Sequence, residues 1–397
     1  MENPKIRFKG FTKDWEQRKL GDVFKEYSEK NHTELSALTI IQGGGTVKRE
    51  DSDRNLMYDT SNLSNYKMVR KDDFIVHLRS FEGGLEKSSL DGIISPAYHT
   101  FHSDMADSRF YYPYFRSYEF IKHKLVSHVY GIRDGRSIDI DGMKTIEIPY
   151  TSIEEQRKIG DYLDCLDHLI TLHQRKCEQT KNLKKYMLQK MFPQNGAKVP
   201  EIRFNGFTHD WEQRKLGDMG STYTGLSGKT KEDFGHGDAK FITYMNVFSN
   251  PVANLDMTES VEIDSKQNCV KAGDVFFTTS SETPEEVGMS SVMPENADNI
   301  YLNSFCFGYR PTEKFDLNYL AYVLRTESFR KEMTFLAQGI SRYNISKNKV
   351  MEVEIPIPSL DEQSRVGQYF KNLDTLITLH QRQTDFYKKP NFYFISS

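Results

Sequence analysis

Sequence motifs that would give this chain a reaction centre of its own are incomplete. Gly225–Thr230 (GLSGKT) resembles the phosphate-binding loop GxxxxGK[ST], but Tyr223 stands where that motif needs its first glycine. Asp264–Lys266 (DSK) is a fragment of a nuclease-type acidic pair with a lysine, and it lacks an upstream partner. The chain has no HExxH, GxSxG or strand-linked GxGxxG sequence. We therefore expect no catalytic residue and no metal ligand.

The composition is that of a folded protein that is neither strongly basic nor embedded in a membrane. The 397 residues include 53 Lys plus Arg and 56 Asp plus Glu, for a formal charge of −3. No apolar run approaches the ~18 residues of a transmembrane helix, and the first residues lack the apolar core of a secretory signal. The four cysteines are widely spaced, without a CxxC pair. We expect a cytoplasmic location.

Internal repetition dominates the sequence. Residues 4–22 and 200–218 are identical at 16 of 19 positions, and residues 147–175 and 354–382 match at 17 of 29. The chain thus consists of repeat A, a variable region and repeat B, followed by the same three parts again. Repeats of this kind indicate repeated structural units.

The differences between the two copies are concentrated in the variable regions, about 25–146 and 219–353. Duplication followed by drift would scatter the differences evenly. The concentration therefore favours a constant frame that holds two separately tuned recognition surfaces.

Each copy of repeat B predicts a strand followed by a long helix. Ser152–Glu155 and Ser359–Glu362 match the capping box, in which serine accepts the N3 amide and glutamate reaches back to the cap amide. Apolar residues then recur at intervals of four and three, which is a coiled-coil spacing. The predicted seam residues are Ile159, Leu163, Leu166, Ile170 and His173 in the first helix and Val366, Phe370, Leu373, Ile377 and His380 in the second.

The predicted fold class is α+β, with two mixed α/β domains related by an internal pseudo-twofold repeat and joined by two long antiparallel coiled-coil helices. The 33 residues from Ile159 to Met191 would make about 50 Å of helix. This length would separate two domains by about one to one and a half turns of B-DNA, at ~34 Å per turn. We expect the seam histidines to pack at the helix interface rather than to bind a metal, because partners at ligand spacing are missing.

The second helix departs from the repeat near its end. Pro390 stands where the offset places Leu183, and proline cannot continue the helical hydrogen-bond pattern. We therefore expect a truncated helix that ends near Tyr387 to Lys389, and a weaker spacer. The apolar residues 392–395 would either fold back onto the first helix or fray.

The strings WEQRKLGD, EIPxxSxxEQ and LITLHQR, in this duplicated arrangement, resemble the DNA-specificity subunit of Type I restriction-modification systems. Residues 72–76 and 92–98 of the first variable region, and 237–243 and 273–277 of the second, are similar to runs in target-recognition domains of that family. The resemblance covers nearly the whole chain.

The resemblance implies a division into four segments. These are a first target-recognition domain (1–150), a central spacer helix (151–196), a second target-recognition domain (197–357) and a C-terminal spacer helix (358–397). Each domain would read one half of a bipartite target in double-stranded DNA. The helices would dock two methyltransferase (modification) subunits, and restriction/translocase subunits would then join.

The resemblance also implies that this chain is non-catalytic by itself. It would be the specificity subunit of a Type I site-specific deoxyribonuclease and adenine methyltransferase complex. S-adenosylmethionine, ATP and Mg²⁺ would belong to the partner subunits.

Candidate base readers are polar or basic residues on loops, because direct readout uses bidentate donors and acceptors in the major groove. Two clusters follow predicted strands, and two form a glycine-flanked arginine loop before the EIP strand. They are His77, Arg79, Ser80, Arg133, Arg136 and Ser137 in the first region and Thr278, Thr279, Ser280, Ser281, Gln338, Ser341, Arg342, Tyr343 and Asn344 in the second. The alternative is that the arginines form surface or structural ion pairs.

Charge is the main observation against DNA binding. Residues 25–150 sum to −2 and residues 219–357 to −6, whereas phosphate attraction favours basic domains. Any basic surface must therefore be local. Two other interpretations stay open: a structural adaptor that binds proteins or glycans through its 22 Tyr and 26 Phe, and a cryptic nuclease.

Overall fold

The computed structural model describes residue 4 and residues 6–52, 60–131, 136–194 and 196–388. The chain forms two compact units, the first made of Met1–Gln174 with Gln381–Ser397 and the second of Arg175–His380. Each of the two long helices contributes residues to both units. The segment boundaries predicted at 150, 196 and 357 stay predictions.

The first half contains twelve strands and five α-helices among its described residues. The strands are β1 (Glu16–Lys19), β2 (Lys25–Tyr27), β3 (Leu38–Ile41), β4 (Gly45–Lys48), β5 (Lys67–Val69), β6 (Phe74–Val76), β7 (Glu86–Lys87), β8 (Gly92–Ile94), β9 (His99–His102), β10 (Val129–Tyr130), β11 (Ser137–Ile138) and β12 (Glu147–Tyr150). The helices are α1 (Leu20–Val23), α2 (Ser80–Gly83), α3 (Ser108–Phe115), α4 (Ile140–Lys144) and α5 (Ile153–Lys190).

The second half contains eleven strands and five α-helices among its described residues. The strands are β13 (Glu212–Lys215), β14 (Gly220–Thr224), β15 (Phe234–Ile242), β16 (Thr258–Val261), β17 (Val275–Thr278), β18 (Ser280–Ser281), β19 (Ser290–Val292), β20 (Ile300–Leu302), β21 (Cys306–Pro311), β22 (Tyr343–Asn344) and β23 (Glu354–Ile357). The helices are α6 (Tyr244–Ser249), α7 (Leu317–Val323), α8 (Glu327–Leu336), α9 (Lys347–Met351) and α10 (Leu360–Lys388).

Each variable region is closed by a pair of strands from the repeats. Strand β1 of repeat A pairs antiparallel with β12 of repeat B, with Gln17 opposite Pro149. Strand β13 pairs with β23 in the same register, with Gln213 opposite Pro356. The repeats therefore build the same frame twice.

A buried carboxylate fastens repeat A to repeat B in the second unit. Glu362, which is 2% exposed, accepts hydrogen bonds from Arg203 Nε at 2.7 Å and Nη2 at 2.8 Å. It also accepts one from Trp211 Nε1 at 3.1 Å. A buried charge is tolerated when it is paired and hydrogen-bonded on its remaining sites. This explains why Arg203, Trp211 and Glu362 occur together in the frame.

The first unit repeats this junction around Glu155, which accepts hydrogen bonds from Arg7, Trp15 and Thr151. The predicted capping box is therefore formed only in half. Ser152 Oγ accepts a hydrogen bond from the Glu155 amide at 3.3 Å. The glutamate side chain, however, accepts hydrogen bonds from Arg7 rather than from the cap amide. A guanidinium gives a charge-assisted, bidentate bond and is the stronger partner.

The glutamine that follows each of these glutamates joins the variable region to the frame. Gln156 Oε1 accepts the Asp107 amide at 3.0 Å, and Gln363 Oε1 accepts the Asp316 amide at 3.1 Å. Asp107 and Asp316 are the N-caps of α3 and α7. Each Glu-Gln pair thus fixes both repeat A and one helix of the variable region.

The two variable regions share a sheet topology although their sequences differ. A four-stranded antiparallel sheet runs in the order β2-β9-β6-β7 in the first unit and β14-β21-β17-β19 in the second. This correspondence, together with the long helices, confirms the predicted α+β class and the internal repeat.

The cores of both units are aromatic. The twelve largest fully buried side chains among the described residues are all Tyr or Phe, and Phe276, Phe277 and Tyr309 lie in the sheet of the second unit. The high aromatic content is thus largely a packing feature. It does not support the adaptor interpretation.

Both long helices have the predicted location, and α10 reaches Lys388, where the described residues end. All ten predicted seam residues are buried or half-buried. In the second unit the end of α5 runs antiparallel to α10, since Lys184 pairs with Asp374 at 2.5 Å and Phe192 stacks on Phe370 at 5.7 Å. Residues 392–395 of the predicted apolar tail lie outside the described residues.

The seam histidine of the first helix packs against an aromatic ring. In the first unit His173 stacks on Tyr387, with ring centroids 5.7 Å apart. The spacer role of His173 and His380 stays a prediction.

A buried aspartate lies at the start of the third strand of each four-stranded sheet. In the second unit Asp274 accepts bonds from Tyr223 at 2.7 Å and from Arg310 at 2.8 Å and 2.6 Å. In the first unit Asp73 accepts a bond from Tyr27 and pairs with His102, each at 2.5 Å.

His102 and Arg310 occupy the same place in the sheet. Each lies two residues beyond the residue that pairs with the tyrosine, since Tyr27 lies opposite Thr100 and Tyr223 opposite Gly308. The hydrogen bond to Asp73 raises the pKa of His102 above its usual value of 6.5. The first unit therefore has a titratable cation where the second has a permanent one.

We predict that the stability of the first unit declines with rising pH through this pair. Because the folded-state pKa of His102 is raised, its contribution is fully present below pH 6.5 and is lost as the pH rises through the folded pKa. His102→Arg should remove this component. Thermal unfolding of both proteins, followed by tryptophan fluorescence between about pH 5.5 and 8.5, should show a Tm difference that grows with pH. A constant difference would refute the assignment.

We also predict that Arg203→Met destabilises the second unit by about 3 kcal/mol, because it leaves Glu362 buried without its cation. Arg214→Met is the matched control. Its partner Glu313 is 41% exposed and can be hydrated, so the loss should be much smaller. Urea unfolding followed by Trp211 fluorescence in a Trp15→Phe background would measure both. Equal losses for the two variants would contradict the role of the junction.

Candidate nucleic-acid interface

The two predicted clusters of the second variable region meet in the structure. Strand β18 pairs with β22, so Ser280 lies opposite Asn344 and Ser281 opposite Tyr343. Residues 338–344 form a hairpin, which we name the second hairpin. It is closed by the Gln338 amide to the Asn344 carbonyl at 2.9 Å and by the reverse bond at 2.8 Å. Residues 278–281 and 338–344 thus form one surface.

Only part of this surface is available to a ligand. Thr278, Ser280 and Ser281 are buried. The Thr278 hydroxyl accepts the Met289 amide at 3.0 Å, and Ser281 Oγ donates to Glu286 at 3.2 Å. These side chains support the backbone of the surface.

The exposed positions of the surface lie on the second hairpin. Gln338, Ser341, Arg342 and Asn344 are exposed, while Tyr343 and Thr279 are half-buried. Thr279 Oγ1 donates to the Phe305 carbonyl at 2.8 Å. Amide and guanidinium groups that can bind bidentately to base edges are therefore concentrated on the hairpin.

Two half-buried arginines bind backbone carbonyls next to this surface. Arg330 donates to the carbonyls of Gly288 at 2.7 Å and Val287 at 2.5 Å. Arg325 donates to the Ser290 carbonyl at 2.8 Å. Burial lowers the pKa of each arginine to about 10, so both stay protonated at neutral pH. They fix the segment that contacts Ser281.

A local basic stretch accompanies the second hairpin. Residues 333–351 contain Arg342, Lys347 and Lys349 and no acidic residue, within a region whose net charge is −6. All three side chains are exposed. Lys347 and Thr279 line a cleft of about 360 Å³. The sequence analysis missed Lys347, and a charge sum over a shorter window would have found it.

The first variable region also brings its clusters together. The Arg136 guanidinium lies over the Phe81 ring, 5.4 Å from its centroid, and Phe81 directly follows Ser80. Arg136 and Ser137 are exposed, and Ser137 lies in the hairpin formed by β10 and β11, with Tyr130 opposite Ser137. Arg133 lies outside the described residues.

His77 is held as a neutral side chain. Its backbone amide donates to Ser80 Oγ at 2.9 Å, and its Nδ1 accepts the Arg79 amide at 3.3 Å. Burial, followed by the charge of Arg79, lowers the pKa of His77 to about 4. At neutral pH its proton therefore lies on Nε2. Ser80 is fully buried, while Arg79 is exposed.

A cleft of about 610 Å³ opens beside His77 and Arg79 in the first unit. Gln42 and Tyr98 also line it. Both residues carry groups that could contact a base or a phosphate, and neither belonged to the predicted clusters. They come from distant strands and turns, so no local sequence signal marked them.

The two incomplete catalytic motifs lie next to each other on the surface of the second unit. Lys229 pairs with Asp264 at 3.2 Å and with Asp233 at 3.8 Å. Asp264 also accepts the Lys266 amide at 3.0 Å, and these contacts lower its pKa to about 2. The geometry is that of a surface ion-pair network. Within the described ranges, no group of three or more His, Cys, Asp or Glu could hold a metal ion.

Comparison with known proteins identifies the family. Residues 12–182 and 208–385 match the family described as the Type I restriction modification DNA specificity domain. The two matched segments together make up most of the chain, and the chain belongs to this family. No helix among the described residues is long and apolar enough to cross a membrane.

Individual relatives are similar over part of their length. The Type I restriction enzyme MjaVIII specificity subunit of Methanocaldococcus jannaschii is 26% identical over 261 residues, which cover 62% of this chain and 60% of that protein. The StySPI specificity subunit of Salmonella potsdam is 23% identical over 189 residues, covering 46% and 38%. The chain thus matches about three fifths or less of these two relatives.

Solved structures extend the likeness to the whole fold. The S subunit of a Type I restriction-modification system from M. genitalium has a TM-score of 0.59 at 13% identity, covering 99% of this chain and 98% of its own. The HsdS subunit from Thermoanaerobacter tengcongensis has a TM-score of 0.51 at 19% identity, covering 96% and 95%. At these identities the likeness concerns the fold.

We predict that Arg342→Ala weakens or relaxes base selection in one half of a bound DNA target by ~1–3 kcal/mol, as expected for a lost bidentate contact. Lys266→Ala, which removes another exposed positive charge from the same unit, is the control and should leave selection unchanged. Binding to duplexes that vary one base pair at a time would measure this. A uniform loss across all duplexes would mark Arg342 as a phosphate contact.

Proposed function

We propose that this chain is the DNA-specificity subunit of a Type I restriction-modification complex, and that each variable region reads one half of a bipartite target in double-stranded DNA. The observation that carries the proposal is the duplicated architecture: one frame, built twice, holds two sheets of equal topology and two different polar surfaces. A constant frame with divergent loops suits two independent readers.

The chemistry of the second surface suits major-groove readout. Arg342 can donate two hydrogen bonds to guanine, and Gln338 or Asn344 can pair with the two edge groups of adenine. The second hairpin is an antiparallel ribbon, an element that the major groove can accommodate. In the first unit the exposed Arg79 and Arg136 are the corresponding candidates.

The acidic balance of the chain limits its affinity for DNA on its own. Non-specific affinity comes largely from phosphate neutralisation, and each variable region carries a net negative charge. Partner subunits would therefore supply much of the backbone contact. In this proposal two methyltransferase subunits dock on the helices, and restriction/translocase subunits join them.

The reactions belong to those partners. S-adenosylmethionine for methyl transfer, and ATP and Mg²⁺ for translocation and cleavage, would be bound by the partner chains. This chain would choose the site at which they act, from within the cytoplasm.

The test is to exchange residues 25–146 for the corresponding region of another member of the family. The chain would be produced with methyltransferase subunits, and the methylated motifs would be determined by sequencing the genome of the host. We expect a bipartite motif for the natural chain. The exchange should change one half-site and preserve the other, because each variable region is closed by its own pair of strands.

Two results would contradict the proposal. A change in both half-sites would refute independent reading. The absence of any methylated motif and of sequence-selective binding, with and without the partner subunits, would refute the DNA-specificity function itself.

A further inference from the structure

An apolar side chain stands at the tip of the second hairpin. Ile340 is 94% exposed, more than any other large hydrophobic residue in the described part of the chain. Exposing such a side chain gains nothing for the fold. Single exposed apolar residues are common, so the surroundings of Ile340 must decide whether it has a ligand.

The hairpin holds Ile340 in a defined position. Its base is closed by the two reciprocal bonds between Gln338 and Asn344, and the Ile345 amide donates to the Thr279 carbonyl at 3.0 Å. Gly339 has a φ of +152°, and a Cβ there would overlap the Arg342 carbonyl. The turn thus requires glycine directly before the isoleucine.

The chemistry around Ile340 favours a nucleic acid over an apolar protein surface. Arg342, Lys347 and Lys349 are the only charged residues between positions 333 and 351. Ile340 is therefore an apolar group in a stretch of chain whose charged residues are all basic, while the exposed Glu282 follows Ser281 on the paired strand β18. By contrast Ile263, which is 54% exposed in the same unit, lies between Glu262 and Asp264.

The first variable region has the same dipeptide in the same place. In the chain, Gly131-Ile132 comes directly after β10 and before β11, as Gly339-Ile340 comes before β22. Ile132 lies outside the described residues, so the parallel is one of sequence. Two otherwise different sequence segments thus share a glycine and an isoleucine before an arginine.

We propose that Ile340 is a specificity-determining residue that contacts the 5-methyl group of a thymine in the major groove. Thymine is the only standard base that presents a methyl group there, and apolar side chains recognise it by contact. The inference rests on the proposed function and specifies one base of the target. The half-site read by the second unit contains at least one thymine beside the position contacted by Arg342.

The experiment uses the full chain with its methyltransferase subunits and the target duplex found by methylome sequencing. Each thymine of the second half-site is replaced singly by deoxyuridine, which removes only the methyl group. For the natural chain we expect one such replacement to weaken binding about fourfold, the effect of one buried methyl group. For Ile340→Ala that duplex and the unmodified duplex should bind equally.

Ile263→Ala is the matched control, since it removes the same side chain from an acidic part of the same unit. It should keep the fourfold preference for thymine. Far-UV circular dichroism of the three proteins would show that folding is unchanged, and Ile340→Val would keep part of the contact and part of the preference.

Three outcomes would overturn the inference while leaving the DNA-specificity function intact. They are selective binding with no thymine in the second half-site, equal binding of every deoxyuridine duplex by the natural chain, and an unchanged thymine preference in Ile340→Ala. Selective binding combined with a loss of methyltransferase docking in Ile340→Ala would reassign Ile340 to a protein contact. Loss of all sequence-selective binding by the natural chain would refute the function and the inference together.

Discussion

In each unit one buried carboxylate, Glu155 or Glu362, joins repeat A to repeat B. Glu155 and Glu362 lie in the first turn of the long helices. Each accepts hydrogen bonds from an arginine and a tryptophan in a segment about 150 residues earlier in the chain. A buried carboxylate without its cation would be strongly destabilising. The buried carboxylate thus holds the two ends of each variable region together. The pair of strands beside it connects the same two ends.

The two variable regions differ in sequence but have the same strand order in their four-stranded sheets, because only a few contacts have to be the same in both. Each sheet needs a buried aspartate that a tyrosine and a cation satisfy, and each needs a helix capped by an aspartate that the frame glutamine holds. The cation is His102 in one unit and Arg310 in the other. The exposed polar residues of the hairpins take no part in these contacts and differ between the two regions.

The sequence predicted the frame well and the recognition surface less well. Repetition and the four-three apolar spacing were sufficient to predict the two helices, since those signals are local and periodic, but Ile159 and Leu163 of the predicted seam pack into the core of the first unit. The junction at Glu155 was interpreted as a capping box, because sequence spacing alone could not reveal that Arg7 competes for the carboxylate. Thr278 and Ser281 looked like base readers by residue type, but burial depends on tertiary packing. Ile340 was overlooked because the search was limited to polar groups.

The strand pairs that close the variable regions also determine how those regions can be exchanged. Neighbouring strands lie ~5 Å apart, so the peptide that leaves β1 returns on β12 at a fixed short distance, whatever lies between. The intervening stretches, 20–146 and 216–353, already differ in length. A variable region of another length, taken from a different protein, would be joined to the same two strands. The frame therefore presents the same two chain ends to any variable region. Recognition domains of different length can be exchanged without changing the paired strands.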